Sequence, residues 1–317
     1  MALLDRLPPT SDRVMRGLAL AAVVAQAGIA VTGSVVRVTG SGLGCPTWPQ
    51  CFPGSLVPVA HPEARAVTQW IEFSNRLLTF LVVVIAGACL IAALTTRPRR
   101  RRLTGLALVQ PLGVLAQAVI GGLTVLLQLA WWSVAVHFVV SMVLVWLAVQ
   151  LVAAASEGEG PPRTRVPGPV RALIATSTAV LACLLVVGTL VTAAGPHAGD
   201  AGTPRLDLPV ASLAQLHADL LFAYLGMLLA LGFTLRAVGA SGALGRRFGL
   251  LIGTVLAQGA IGGTQYALGV PEALVSLHVL GAALVTVGAA ALWAGTAERP
   301  RAPIERPTPA EPAPARA

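Results

Sequence analysis

The sequence predicts an all-α integral membrane protein with eight transmembrane helices. They are arranged as two tandem four-helix bundles related by a pseudo-twofold axis along the membrane normal. Three observations lead there. Of 317 residues, 56% are hydrophobic and only 11% charged, and the mean hydropathy is +0.78, outside the range of soluble domains. Eight apolar stretches approach or exceed the roughly 20 residues that a bilayer crossing needs. Finally, "QAVIGG" (117–122) returns as "QGAIGG" (258–263), and the histidine of "VAVHFVV" (134–140) returns at the same offset in "LVSLHVL" (274–280). A duplication with four spans per copy leaves both copies in one orientation, as parallel repeats are.

The spans fall near 14–36, 71–94, 104–126, 132–153, 170–193, 210–235, 248–268 and 273–294. The first follows "MALLDRLPPTSDRVMRG", which has no small-residue cleavage site after a short apolar core, so this span is expected to be retained. Spans one and five match through "GSVVRVTG" (33–40) and "GTLVTAAG" (188–195), and spans two and six through "IEFSNRLLTF" (71–80) and "LAQLHADLLF" (213–222). The expected units are a cytoplasmic N-terminus 1–13, a first bundle 14–153 with an outer loop 37–70, and a cytoplasmic linker 154–169. A second bundle 170–295 and a disordered Pro-rich tail 296–317 complete the chain.

The net charge of +9 is carried by arginine placed according to the membrane. Arginines 6, 13 and 16, the "RPRRRR" run at 97–102, Arg163, Arg165, Arg171, Arg236, Arg246, Arg247 and those from 299 onward all fall on one side. The opposite loops hold only Arg37, Arg65 and Arg205. The positive-inside rule therefore puts both termini in the cytoplasm of a cell-membrane protein, and a nucleic-acid partner is not expected. The outer loop carries "CPTWPQC", whose Cys45 and Cys51 are read as a disulfide in an oxidising compartment, ahead of free thiols or a metal pair. Cys89 and Cys183 lie mid-span and are read as packing residues.

Spans two, four, six and eight enter from the outer side and carry Asn75, His137, His217 and His278 about two turns in, roughly 9–12 Å deep at 1.5 Å per residue. Intramembrane ionisable groups are costly and mark function. Two imidazoles facing each other in a helical bundle suit the two axial positions of a haem iron. Zinc would need further ligands that the second half lacks at that depth. The glycine pairs at 121–122 and 262–263 fit either close approach of a flat ligand or plain helix packing. Glu72 and Arg76, one turn apart, can pair; their counterparts are Ala214 and Ala218, so chemistry is expected in the first half. Against this stands a purely structural ion pair.

These pieces, "GSVVRVTGSGLGCPTWPQC", "EFSNR", "QAVIGGLTV", a histidine on span four, and the repeated "QGAIGG" with its histidine pair, together resemble the haem A synthase family over residues 14 to 295. The resemblance implies oxidation of a ring methyl of haem O, through an alcohol, to the formyl group of haem A used by terminal oxidases. It implies haem b held by His217 and His278 in the second half and substrate haem beside His137 in the first. Glu72 and Arg76 match the acid and arginine of the family's E-x-x-H-R motif, whereas Asn75 stands where much of the family has histidine. The loop between spans five and six carries His197 and no cysteine, unlike relatives with a second pair.

On this reading Glu72, Asn75, Arg76 and His137 are the catalytic candidates, and Arg37 or Arg76 can bind a haem propionate. An iron ligated by His137 alone would stay open beside Asn75, with His61 the first alternative ligand. Expected partners are haem O, haem A, membrane lipid, an electron donor and the haem O synthase. The competing classes are a bis-His haem b electron-transfer cytochrome and a transporter; the latter should show broken helices at the midplane.

Overall fold

The computed structural model describes residues 8–60 and 65–300. His61 and all but the first five residues of the tail expected at 296–317 lie outside the described residues. The described chain folds into eight long helices: α1 (Asp12–Val38), α2 (Ala66–Thr95), α3 (Arg101–Leu126), α4 (Trp131–Ser156), α5 (Gly168–Ala194), α6 (Val210–Ala237), α7 (Gly242–Ala267) and α8 (Glu272–Ala294). Two short strands, β1 (Arg163–Thr164) and β2 (Ala297–Glu298), pair antiparallel and join the α4–α5 connection to the segment after α8. The Arg165–Glu298 ion pair lies beside them.

Each apolar run foretold by the sequence is one uninterrupted helix, extended at its ends by polar residues that the lipid does not have to cover. Where the sequence supplies a cap, the helix uses it. Ser11 and Ser241 accept from the backbone N–H groups of Val14 and Leu244, both at 3.3 Å, and satisfy first-turn donors of α1 and α7. Proline precedes α5, α6 and α8, where a missing N–H costs nothing. Seven helices are long and apolar enough to cross a membrane, which makes this a multi-pass membrane protein. The exception, α7, has the length, but Arg246, Arg247 and a run of glycine and polar residues dilute its apolar character.

Helices α1 to α4 close into a ring in which each packs against its chain neighbours and α4 returns to α1. Consequently α2 and α4 stand across the ring from one another. Small residues line its core, among them Ala19, Ala22, Ala93, Ala107 and Ala148, and they allow close helix approach. Midway down, Gln26 Nε2 donates to Gln110 Oε1 across the ring at 3.4 Å. The second four helices differ. There α5 packs tightly on α6 and α7 on α8, while the two hairpins meet each other only lightly. The halves join where α8 lies against α1 and α4, with Met142, Val145 and Ala283 at the centre.

Candidate functional site

In the wider second half, His217 of α6 and His278 of α8 face each other with ring centroids 6.4 Å apart and planes tilted by 59°. Each ring rests on the preceding helix at a glycine. A Cβ at Gly188 would lie 3.0 Å from His217 Cε1, and one at Gly262 would lie 2.9 Å from His278 Cε1. His137 of α4 sits on Gly121 of α3 in the same way, at 3.2 Å. A larger residue at any of the three would press on the ring and push it or its helix back by a few tenths of an ångström. The helix bearing the ring is also gripped from its neighbour. Gln117 Nε2 donates to the His137 carbonyl at 2.9 Å and to Ser141 Oγ at 2.5 Å, and Gln258 Nε2 donates to the His278 carbonyl at 2.8 Å.

The repeated "QAVIGG" and "QGAIGG" thus have a job that sequence reasoning missed: glutamine fixes the backbone of the histidine and the glycine four residues on seats its ring. Equal spacing of Gln, Gly and His in both halves was the signal for it. The second glycine of each pair behaves differently. Gly122 is covered by the Trp48 indole of the outer loop, whereas Gly263 faces open space.

In the first half, Asn75 of α2 accepts from Thr32 Oγ1 of α1 at 2.7 Å through Oδ1. Both line a cavity of about 550 Å³ between α1 and α2, walled by Val35, Val36, Trp70 and Leu78. Glu72 and Arg76 leave the same helix toward the loop. Glu72, 5% exposed, accepts from the Cys45 backbone N–H at 2.7 Å through Oε2, and from Arg76 Nη2 at 2.5 Å through Oε1. Arg76 then donates to the carbonyls of Cys45 at 2.8 Å, Thr47 at 3.0 Å and Gln50 at 3.3 Å. A guanidinium, with its fan of donors, can gather several carbonyls at once. Cys45 and Cys51 are bonded to each other and fully buried, packed with Phe52 on Phe73. The pair therefore clamps the 45–51 loop onto α2 while cancelling its own charge.

Arg37 is placed apart from the other candidates. Its Nη1 donates to the His197 carbonyl at 2.9 Å, and nearby the Gly42 N–H donates to the Gly199 carbonyl at 2.8 Å. His197 Nε2 lies 2.8 Å from the Val270 carbonyl and carries the proton between them. These contacts join three loops on the face where α2, α4, α6 and α8 begin.

The donor set can be tested against a haem. Two metal–nitrogen bonds of about 2 Å each, with the half-widths of two imidazoles, fill a 6.4 Å separation of ring centres. Nδ1 of His137, of His217 and of His278 is buried with no hydrogen-bond partner. That leaves Nε2 for a ligand. Among the described residues no three His, Cys, Asp or Glu side chains converge, so the second half offers a two-nitrogen set, which fits a haem iron better than zinc.

A family model described as cytochrome oxidase assembly protein matches residues 16–202. Among curated relatives, the haem A synthase of Geobacillus kaustophilus (strain HTA426) is 31% identical over 109 residues, 34% of this chain and 32% of that one. The haem A synthase of Lysinibacillus sphaericus (strain C3-41) is 33% identical over 134 residues, 42% of each chain. That of Staphylococcus carnosus (strain TM300) is 30% identical over 132 residues, 41% of each. The chain therefore spans between 32% and 42% of the length of these relatives.

Proposed function

Because the chain belongs to the cytochrome oxidase assembly protein family, we propose that it is a haem A synthase, oxidising a ring methyl of haem O to the formyl group of haem A. One observation carries this reading: the two halves are unequally equipped. His217 and His278 face each other across one half, while the other has His137 on one side and Asn75 on the other. Two strong axial ligands suit electron transfer, and an unsaturated site suits chemistry on a bound substrate.

In this proposal the halves are two four-helix bundles about a pseudo-twofold axis along the membrane normal, with both termini in the cytoplasm and the 45–51 loop outside. His217 and His278 hold haem b, which supplies one-electron chemistry when bound. His137 holds the haem O substrate, with Gln117 and Gly121 fixing its ring. Arg76 and Glu72 fasten the loop over this half, and the loop's Trp48 packs down on Gly122; together they exclude water from the substrate. Glu72, an acid of the reacting half, accepts or returns a proton in this reading. Asn75 offers an amide to small polar species there. Arg37, tied to His197, fixes the loop seam, and a propionate would bind it as a competitor of that carbonyl. Haem A is the released product; the haem O synthase and an electron donor are the expected partners.

The test is co-expression of the full chain with a haem O supplier, followed by extraction of the haems. Haem A in the wild type is expected, together with loss of the low-spin six-coordinate spectrum in His217→Ala and in His278→Ala. Haem B alone, with no haem A formed from available haem O, would overturn the synthase reading in favour of an electron-transfer cytochrome.

A further inference from the structure

The start of α3 runs against the electrostatics of a helix. A helix N-terminus carries partial positive charge and favours an acid or a capping oxygen there. Ser11 and Ser241 supply that oxygen to α1 and α7. Helix α3 has neither a side-chain cap nor an acid in its first turn; arginine stands at its cap, Arg100, and at its first two positions, Arg101 and Arg102. Arg102 is answered by Glu157 and Glu159. Arg99, Arg100 and Arg101 gather instead, with Leu94 and Thr104, around a pocket of about 280 Å³ where α2 ends and α3 begins. Among the described residues no acid lines this pocket.

Arg100 is its fixed part. It is only 7% exposed, and its Nη1 and Nη2 donate to the carbonyls of Ala154, Ala155 and Glu157 that close α4. Asp12, 3.7 Å from Nη1, offsets one of the three charges. Arg99 and Arg101 are exposed. Deeper along the same two membrane-spanning helices, Ile91 of α2 and Leu108 of α3 are exposed as well, so this surface faces lipid. An anion in the pocket therefore stands at the level of the headgroups, with apolar side chains beneath it.

We propose that this pocket binds one anionic phospholipid. Arg99 and Arg101 take its phosphate oxygens, as guanidinium forks do, and the Thr104 hydroxyl is at hand for the headgroup. Its acyl chains run along Ile91 and Leu108. The anion supplies the negative charge that the start of α3 lacks, and basic pockets between membrane helices bind such headgroups. The proposal stands independently of any haem.

The test is native mass spectrometry of the full chain, released from an equimolar mixture of phosphatidylglycerol and phosphatidylcholine. The wild type is expected to retain one phosphatidylglycerol in preference to phosphatidylcholine. Arg99→Gln/Arg101→Gln should lower that preference roughly tenfold or more, the scale of two basic residues at an anionic surface; Arg100, which holds α4, is left in place. The control is Arg236→Gln/Arg246→Gln, which removes the same charge at the α6–α7 end of the same face and should leave the retained lipid unchanged. Equal loss in both variants would reduce the site to diffuse attraction and overturn it. Two results on the wild type alone do the same: equal retention of the two lipids, or displacement of phosphatidylglycerol by excess inorganic phosphate, which would make this a site for free phosphate.

Discussion

Replacing Gly262 by alanine adds one methyl group at a defined place, 2.9 Å from His278 Cε1, where ordinary contact begins at 3.4 Å. The imidazole or its helix must therefore retreat by about half an ångström. Overpacking costs about 1–3 kcal/mol, and alanine returns about 1 kcal/mol of helix propensity, so the fold should lose 2 kcal/mol or less by this order-of-magnitude reckoning. The site should lose more, because ligand constellations tolerate displacements of only about 0.5 Å. Gly262→Ala is expected to unfold within a few degrees of wild type yet show reduced haem content and a weakened low-spin band. The control is the next residue: Gly263 has nothing within 4 Å of an added Cβ, and Gly263→Ala should leave the spectrum untouched. Full spectra in both variants, or equal loss in both, would refute the seat mechanism.

Three further outcomes follow from the first half. Arg76→Ala strands the buried Glu72 carboxylate at a cost on the order of 3 kcal/mol and frees the carbonyls of Cys45, Thr47 and Gln50; limited proteolysis should then cut near the 45–51 loop, and a loop that stays resistant would show the clamp to be dispensable. Glu72→Gln keeps an acceptor for the Cys45 N–H but loses the charge, so haem A output should fall with the His217–His278 spectrum intact; wild-type output would leave Glu72 structural only. Mass spectrometry without reductant should find Cys45 linked to Cys51 in protein taken from its native membrane, and two free thiols there would contradict the buried disulfide.

The helices were legible because lipid demands long apolar runs, and a period of that length survives any detail of packing. The positions of His137, His217 and His278 were legible too, since polar groups at one depth stand out against an apolar background. Arg37 was not: its carbonyl partner on His197 lies 160 residues away, and no local pattern announces a contact between loops. Glu72 and Arg76 were legible as a pair one turn apart, but spacing alone does not reveal that the preceding loop folds back to meet them. Gln117 and Gln258 were hidden by being ordinary residues in apolar helices; only their equal distance from the seated histidines distinguishes them. The hydropathy of α7 departs from that of its neighbours because Arg246, Arg247 and a run of glycine and polar residues interrupt its apolar sequence.

The loose meeting of the α5–α6 and α7–α8 hairpins bears on how the protein is made. The first four helices complete their ring from their own contacts, whereas the last four leave a gap bridged at its upper end by two imidazoles. A group that binds both histidines acts there as a keystone, and its binding energy becomes assembly energy for the second half. If that group is the haem b of the proposed function, chains synthesised in haem-starved cells should carry a finished first half beside a second half still open at the α6–α7 turn, residues 238–241, where quality-control proteases would find them. Haem supply would then set how much of this protein the membrane keeps.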